Sequence, residues 1–360
     1  MNTHEDTLAP VLDEEDLHAH LGRIVTDAGA VMFAPLVLIG RDLGLYDALA
    51  GADPMTSDEL ASRTDTAERY VREWLRAHAA GGYITYDADT DRYAMTFEQT
   101  LLFANPDSPA YVVGFFESAL AAARVKDKLT EAFRTGAGVG WGEHDHALFH
   151  GVEQAFRPGY LNHLVQEWIP ALDGVEAKLE RGIRVADIGC GFGASTIIMA
   201  QAYPNSTFVG IDAHEPSIQA ARARAEAAGL TNVTFAVSTA KTYNSAPYDL
   251  VTTFDCLHDM GDPVGGAAHV FTSLKPDGTW LIVEPRAEDT VEGNLNPVGR
   301  FFYGASTLIC TPCSLDQEVG LALGAQAGEA RLGEVVREGG FTRFRRATET
   351  PFNLVLEARP

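Results

Sequence analysis

The sequence predicts an α/β protein in which a doubly wound, mostly parallel sheet ends in an antiparallel hairpin and follows a smaller helical domain. Three observations predict this fold class. From residue 183 onward, apolar runs alternate with helical segments, as expected when each strand is followed by a helix that packs on the sheet. Residues 341–360 have the pattern of two strands joined by a turn at Pro351. The first hundred residues instead carry helical periodicities and one short hairpin.

Length and composition limit the classes of function. The 360 residues have room for about two domains, and 46% hydrophobic with 21% charged residues is typical of a globular protein. The net charge of −23 repels phosphates and anionic lipids, so we expect no nucleic-acid or membrane partner. The apolar run 28–40 contains Pro35 and is too short to span a bilayer. An acidic N-terminus unlike a signal peptide and only four cysteines predict a cytoplasmic protein with reduced thiols.

The chain divides into four predicted segments. Residues 1–20 form an acidic lead that is disordered or lightly docked, and residues 21–104 form a winged-helix dimerisation domain. Residues 105–180 are expected to be a helical linker and pocket wall, and residues 181–360 the main α/β domain.

The winged helix is predicted from a helix with Ser57 as its N-cap, a second amphipathic helix and a short hairpin. Such a module binds DNA in many basic proteins. Here acidic residues alternate with the basic ones of the second helix in a strongly acidic chain, which favours a dimerisation role. The residues concerned are Glu68, Arg69, Arg72, Glu73 and Arg76.

The segment VADIGCGFGAS, residues 185–195, predicts the ligand site of the α/β domain. An apolar strand carrying Asp187 breaks into three glycines, Gly189, Gly191 and Gly193, and a helix follows. A glycine turn between strand and helix lets backbone N–H groups approach a polar ligand closely, as in Rossmann-like sheets. The spacing Gly189-x-Gly191-x-x-Ala194 also fits the relaxed dinucleotide fingerprint, so the pattern alone leaves NAD open.

Further polar residues follow the next strands at the same predicted edge. Asp212 ends the second strand and can accept both ribose hydroxyls of a nucleoside, while Ser238, Thr239 and Ala240 follow the third strand near an adenine edge. The cationic amino-acid part of S-adenosylmethionine fits this edge better than a diphosphate does. The residues that favour it are Asp187 in the first strand motif, and Phe254 and Asp255 after the fourth strand. We also assign two neighbouring residues to this cofactor site, Tyr160 and Ala213.

These motifs resemble those of the class I S-adenosylmethionine-dependent methyltransferases. The resemblance covers residues 183–358 through VADIGCGFG, GIDA, FDCLHDMGDP and LKPDGTWLIVEP, in the family's order. The N-terminal region is similar to that of bacterial and plant small-molecule O-methyltransferases, in which it serves dimerisation and walls the pocket. The resemblance therefore implies S-adenosylmethionine as cofactor and a small-molecule acceptor. The family commonly has an acid where this chain has Ser238 and Thr239, so the adenine contact differs.

The resemblance also supplies a catalytic hypothesis. In CLHDMGDP, residues 256–263, His258 matches the general base of plant-type O-methyltransferases, and Glu284 matches the acid that orients it. Asp259 is expected to be a neighbour of the base or of the substrate. A second orienting acid is expected at Gln326 or Glu329. The alternative is that His258 only caps a helix and that catalysis runs on proximity.

The substrate side is predicted from two aromatic, polar stretches. The loop around residues 136–150 and the apolar insert after the fifth strand are expected to form a pocket edge and a lid. The substrate-binding candidates are Trp141, His144, His146, Asp259, Arg300 and Tyr303. We expect no metal site, since nothing fixes a geometry for His144, His146 and His150 and a single pair, Cys310 and Cys313, is better explained as buried thiols.

The sequence therefore predicts an enzyme, an S-adenosylmethionine-dependent methyltransferase that is a cytoplasmic homodimer acting on a small molecule at oxygen. Two alternatives stay open at this stage: a ligand-sensing transcriptional regulator with a methyltransferase-like domain, and an NAD(P)-dependent oxidoreductase. The methyl acceptor is not predicted.

Overall fold

The computed structural model describes residues 12–360, which divide into two compact units at Thr100 and Leu101. The first unit is helical with one small hairpin, and the second contains a seven-stranded sheet. Residues 1–11 of the predicted acidic lead lie outside the described residues.

The first unit has the helix, helix, hairpin order predicted for a winged helix. Its elements are α1 (Glu14–Asp42), α2 (Leu45–Leu49), α3 (Ser57–Thr64), α4 (Glu68–Ala80), β1 (Thr85–Asp87), β2 (Arg92–Ala94) and α5 (Phe97–Phe103), the last of which crosses the boundary. β1 and β2 pair antiparallel. The N-cap of α3 is Thr56 and not Ser57, because Glu59 lies three residues after Thr56 and completes a capping box with it.

Helix α1 begins earlier than the sequence predicted. The side chain of Asp13 accepts hydrogen bonds from the backbone N–H groups of Glu15 and Asp16, so the acids assigned to the lead form the first helical turn. The helix is 29 residues long and contains an 18-residue window of mean hydropathy 1.6. The expectation that this region is too short to span a bilayer is therefore wrong. Length and composition alone do not distinguish a membrane span from an apolar helix with another role.

The second unit begins with helices that precede the sheet. They are α6 (Val113–Ala122), α7 (Lys126–Thr135), α8 (His146–Gly159), a π-helical continuation of α8 (Tyr160–Trp168) and α9 (Val175–Arg181). α6 and α8 pack closely at two glycines, since a Cβ on Gly114 would lie 2.3 Å from the backbone N of Ala155 and one on Gly151 would lie 2.6 Å from that of Ser118.

The sheet confirms the predicted fold class. Its strands are β3 (Arg184–Ile188), β4 (Thr207–Asp212), β5 (Val233–Val237), β6 (Tyr248–Phe254), β7 (Leu274–Pro285), β8 (Arg343–Glu349) and β9 (Asn353–Arg359), in the order β5-β4-β3-β6-β7-β9-β8. The first five are parallel, and β9 runs antiparallel to both β7 and β8. The accompanying helices are α10 (Ala194–Ala202), α11 (Glu215–Ala227), α12 (Pro263–Ser273), α13 (Pro297–Ala305), α14 (Thr311–Leu315) and α15 (Gly328–Glu338), and a π-helical segment, Ser306–Cys310, joins α13 to α14.

Alternate residues of the central strands enter separate cores. In β3, Ala186 and Ile188 belong to one buried cluster and Val185 to another, and in β6 the same holds for Val251 and Leu250. Burial on both faces explains why these strands are nearly continuous apolar runs. The strand order reverses between β3 and β6, and in open α/β sheets ligands bind beyond the carboxyl ends of the strands at such a point.

Candidate active site

The glycine turn lies where the sheet order reverses, directly after β3. Gly189 has φ +71°, and a Cβ there would lie 2.6 Å from Cys256 Sγ, so a side chain is excluded on both grounds. Gly191 has φ +51° with open space where a side chain would lie. Its backbone N–H donates to Asp212 Oδ2 at 2.9 Å. The turn thus presents bare backbone at the switch point and is held there by the acid that ends β4.

Asp187 is buried and bonded to the protein itself. Its Oδ2 accepts hydrogen bonds from Ser195 Oγ at 2.7 Å and Thr196 Oγ1 at 2.6 Å, and its Oδ1 accepts one from Thr252 Oγ1 at 2.9 Å. Burial raises the pKa of Asp187 to about 6, against the effect of these three hydroxyls. This acid therefore joins β3, α10 and β6 around the glycine turn.

Asp212 keeps acceptor capacity in addition to its internal bonds. Its Oδ1 accepts from the backbone N–H of His214 at 2.8 Å, and its Oδ2 accepts from Gly191. Each carboxylate oxygen can accept a second hydrogen bond. Ala213 is exposed beside it, and after β5 Ser238 and Ala240 are half-buried and Thr239 is exposed. The hydroxyls of Ser238 and Thr239 both lie within hydrogen-bond distance of Thr242 Oγ1.

Asp255 follows β6 in a strained conformation. It has φ +50°, unusual for a residue with a side chain, and its Oδ1 accepts from Asn353 Nδ2 at 3.2 Å. Oδ2 is buried without a well-formed hydrogen bond from residues 12–360, and the Tyr160 hydroxyl is a neighbour that interacts with this carboxylate. Burial, reinforced by the nearby Glu284, raises the pKa of Asp255 well above its usual range. Buried Tyr160 packs on Phe254 with ring centroids 5.3 Å apart, and burial and the Asp255 charge raise the pKa of its hydroxyl.

His258 and Glu284 form a buried pair at the ends of adjacent strands. Phe254 pairs with Val283 in the register of β6 and β7, so the turn after β6 lies against Glu284. Glu284 Oε2 accepts a short hydrogen bond from His258 Nδ1, and Oε1 accepts one from the backbone N–H of Leu257 at 2.9 Å. The carboxylate therefore holds the ring with its proton on Nδ1, which leaves Nε2 for chemistry.

A second carboxylate, that of Asp259, lies on the other side of the ring. Asp259 Oδ1 is 3.2 Å from His258 Nε2. Burial opposes a charge on His258, but the Asp259 and Glu284 carboxylates outweigh it and raise its pKa well above the usual range. The acid expected at Gln326 or Glu329 is not this partner. Glu329 instead bonds Arg346 of β8 at 2.6 Å.

Comparison with known proteins follows the same division of the chain. Residues 179–320 match the family described as methyltransferase domain, and residues 31–104 match the Rv2258c-like winged HTH domain. Residues 179–320 are a methyltransferase domain. The predicted methyltransferase domain and the winged helix that precedes it are confirmed.

Individual relatives share parts of this domain. A ubiquinone biosynthesis O-methyltransferase of Leptothrix cholodnii is 32% identical over 135 residues, which is 36% of this chain and 54% of that protein. A tRNA (guanine-N(7)-)-methyltransferase of Shewanella halifaxensis is 41% identical over 63 residues, 18% of this chain and 27% of that one. The chain thus spans from about a quarter to half of the length of these curated relatives. The structure of human N-acetylserotonin methyltransferase with SAM has a TM-score of 0.70 at 17% identity, covering 100% of this chain and 99% of that one.

The methyltransferase domain has room and partners for this cofactor. The backbone at Gly191 is open, both Asp212 oxygens retain acceptor capacity, and Asp255 Oδ2 is a buried acceptor that lacks a well-formed hydrogen bond in the described chain. These groups match a nucleoside with vicinal hydroxyls and a cationic amino-acid end. By contrast, Asp187 has its oxygens occupied, so we expect it to support the turn instead of contacting the ligand directly.

The substrate-side predictions separate into buried and exposed residues. Trp141 packs on Phe149 at 5.1 Å in an apolar cluster with Phe192 and Phe302, which joins the loop to the insert, and the role of this cluster as a pocket wall stays a prediction. His144 is buried, with its Nε2 3.9 Å from Cys313 Sγ. Three other candidates lie on the surface, His146, Arg300 and Tyr303. The assignment of these residues to substrate binding stays a prediction.

The two thiols of the insert are both buried. Cys310, at the end of the π-helical segment, has its Sγ beside His258 and Asp259, and the ligand atoms of all three lie within 4.8 Å of one another. No sequence pattern indicates this contact, since Cys310 is remote from His258 along the chain and its spacing to Cys313 points only to the second thiol.

Proposed function

We propose that this chain transfers a methyl group from S-adenosylmethionine to an oxygen atom of a small molecule, with His258 as the general base. The observation that supports this most directly is the buried His258–Glu284 pair, which lies one strand from the glycine turn. Such a pair has little structural use where it is, because a buried ion pair contributes little to stability. Its value lies in presenting an oriented imidazole nitrogen.

The cofactor would be held by the acceptors around the switch point. Asp212 would accept the ribose hydroxyls, Asp255 and the backbone near Phe254 would face the amino-acid ammonium, and Ser238, Thr239 and Ala240 would border the adenine. When bound, S-adenosylmethionine supplies a methyl carbon activated by its sulfonium.

The protein's own chemistry is to orient the acceptor and take its proton. His258 Nε2 would accept the hydroxyl proton while Nδ1–H stays bonded to Glu284, whose charge stabilises the imidazolium that forms. The Asp259 carboxylate beside Nε2 favours the protonated ring, so His258 acts as a base once that proton has left and the acceptor hydroxyl has replaced the Asp259 contact. The apolar cluster of Phe149, Phe192 and Phe302 would exclude water from the reacting groups.

We further propose that the winged helix does not bind DNA. The α4 arginines are engaged by acids of the same helix, since Arg72 bonds Glu68 at 2.7 Å and Arg69 bonds Glu73 at 2.6 Å. With a net charge of −23, this helix has little free positive charge for phosphates.

We also propose a cytoplasmic homodimer formed through the N-terminal unit. Helix α1 exposes a long apolar surface, which is expected of a helix that is covered by another copy. Its most exposed apolar side chains are Leu21, Ile24, Val25, Val31 and Met32. Replacing Ile24 and Val31 by Glu should convert a dimer into a monomer in light scattering. A wild-type chain that is monomeric at micromolar concentration would contradict this proposal.

The proposed activity is tested by ligand binding followed by turnover. Thermal shift with S-adenosylhomocysteine and with NADP in parallel should show stabilisation by the former alone. A panel of small phenols and hydroxylated acids with labelled S-adenosylmethionine should then reveal O-methylated product by mass spectrometry. Stabilisation by NADP alone would support the oxidoreductase alternative, and a gel shift at physiological salt without methylation would support the regulator.

A further inference from the structure

Three side chains of different ligand chemistry converge at the outer face of His258. His258 Nε2, Asp259 Oδ1 and Cys310 Sγ all lie within 4.8 Å of one another. Among the described residues, 12–360, this is the only group of three or more His, Cys, Asp or Glu side chains that is close enough to share one ion. His258 and Cys310 are buried, and Asp259 is a quarter exposed with its Oδ1 buried.

The spacing of these groups suits metal ligands. Asp259 Oδ1 lies 3.2 Å from His258 Nε2 as an ion pair, and the Cys310 thiol is the other group that interacts with this carboxylate. Two ligand atoms at the usual zinc distances of about 2.0–2.1 Å, separated by a tetrahedral angle, are about 3.4 Å apart. The observed separation is close to that tetrahedral edge. A buried carboxylate oxygen is costly unless a cation or a hydrogen-bond donor is its partner, and a bound metal ion would take over that role from the protons of the imidazolium and the thiol.

The His258 ring already has a carboxylate hydrogen-bonded to the nitrogen that would face away from a metal ion, as metal-binding histidines usually have. Glu284 accepts the Nδ1 hydrogen bond, so in the neutral ring that a metal ion requires, the Nε2 lone pair faces Asp259 and Cys310. Glu284 is itself held by the backbone N–H of Leu257.

The two segments that carry the ligands are also joined to each other. Gln317 Nε2 donates to the carbonyl of Asp259 at 2.8 Å and to that of Cys313 at 3.0 Å. Ser314 Oγ donates to the carbonyl of Met260 at 2.8 Å. The turn after β6 and the end of the insert therefore form one supported unit, as a preorganised site requires.

We propose that His258, Asp259 and Cys310 bind one borderline divalent cation, with Zn²⁺ as the best match to an imidazole nitrogen, a carboxylate oxygen and a thiolate. Three protein ligands leave a fourth tetrahedral position for water. Binding requires His258 neutral and Cys310 as thiolate, so protons are released to solvent when the ion enters. The two negative ligands balance the charge of the ion.

The site has a consequence for catalysis that rests on the function proposed above. An ion on His258 Nε2 occupies the lone pair that would accept the proton of the acceptor hydroxyl, so zinc and methyl transfer exclude each other. We therefore expect saturating zinc to lower turnover by about the contribution of a general base, roughly 10²-fold or more, and a chelator to restore it.

The test of binding uses cobalt as a spectroscopic substitute for zinc and does not depend on activity. Titration of the metal-free full-length chain with Co²⁺ should give one equivalent of a species with a near-ultraviolet thiolate-to-cobalt band and visible bands of tetrahedral intensity, both removed by excess Zn²⁺. Cys310→Ser should abolish the near-ultraviolet band. Cys313→Ser, three residues along the chain, is the matched control and should keep it. Asp259→Asn provides a second variant and should lower the affinity at least about 10-fold.

Circular dichroism and thermal melting of each variant show whether the fold is retained. Absence of a stoichiometric cobalt band in the wild-type chain, or a band that persists in Cys310→Ser, would overturn the site. Turnover is then measured with and without zinc for each variant against itself, and inhibition should be lost in Cys310→Ser and kept in Cys313→Ser. A normal cobalt titration in a chain without zinc inhibition would keep the site and refute the competition for Nε2.

Discussion

Two buried histidines, one in each unit, have opposite chemistry. His78 in the winged-helix unit accepts from Tyr46 Oη through Nε2 at 2.7 Å, donates from Nδ1 to the carbonyl of Trp74 at 2.9 Å and stacks on the Trp74 ring. Burial lowers its pKa to about 4. His258 is equally buried, yet its pKa is raised. The difference is two carboxylates, which shows that burial alone gives a neutral structural histidine and that nearby acids convert it into a proton acceptor.

The largest expected effect is that of replacing His258, which distinguishes a general base from a structural histidine. His258→Ala should lower turnover by about 10² to 10⁴-fold, the usual contribution of a general base, while affinity for S-adenosylhomocysteine in calorimetry is retained. His78→Gln is the control and should leave turnover per folded molecule unchanged. Unchanged turnover in His258→Ala would mean that the reaction depends on placement alone.

Removing the carboxylate that orients the ring should have the next largest effect. In Glu284→Gln an amide faces His258 Nδ1, so the ring can turn to the tautomer with its proton on Nε2, where it cannot accept another. We expect turnover to fall about 10 to 100-fold with little change in KM. Glu329→Gln, which removes an acid bonded to Arg346, is the matched control and should be silent. Equal losses in both variants would refute a specific role for Glu284.

The fold was predictable because its signals are local. The central strands are buried on both faces and so appear as apolar runs, and the glycine turn follows β3 in the sequence as in the structure. The first residues of the helices were less predictable. Glu14 and Glu15 resemble a solvated lead unless the cap at Asp13 is recognised, and Thr56 is a better cap than its neighbour Ser57 because of Glu59.

The only contacts of the site that could be predicted are those that follow from the order of the strands. His258 follows β6 and Glu284 lies at the end of β7, so the parallel register of these two strands places them together. The contact of Cys310 with His258 depends on how the insert packs over that edge, for which no periodicity or spacing gives a signal. Likewise, the sequence pattern cannot show that Ser195, Thr196 and Thr252 occupy the oxygens of Asp187.

The pH dependence of stability tests whether His78 is buried as a neutral structural histidine. The folded pKa of His78 is about 4, below the value of about 6.5 in the unfolded chain, so the unfolded state binds more protons between these values and stability falls as the pH falls. From pH 7 to pH 5 the free energy of unfolding of the first unit should drop by about 2 kcal/mol through this group.

Urea unfolding, with hydrogen exchange of peptides from α4 as a local reporter, measures this change. His78→Gln removes the titrating group and should flatten the pH dependence in this interval, whatever its effect on stability at pH 7. An α4 reporter equally stable at pH 7 and pH 5 in the wild type would show that the imidazole is not buried as a neutral group.

The smallest expected effects are those of replacing Asp255 and Asp187, the two buried acids near the glycine turn. Asp255 has a buried oxygen without a well-formed hydrogen bond in residues 12–360, whereas the oxygens of Asp187 accept hydrogen bonds from three hydroxyls. Asp255→Asn should therefore leave the melting temperature unchanged or raised, because a poorly solvated carboxyl is replaced by a neutral group of the same shape. It should weaken S-adenosylhomocysteine binding about 10-fold in calorimetry by removing a charge-assisted partner of the ammonium.

Asp187→Asn is the contrasting variant. It replaces an acceptor oxygen by a donor that faces hydroxyls already bonded to this side chain, so its main effect should be a lower melting temperature. If Asp255→Asn destabilises the chain as much as Asp187→Asn, then Asp255 is a structural acid, and the distinction between satisfied and unsatisfied carboxylates does not identify the ligand site.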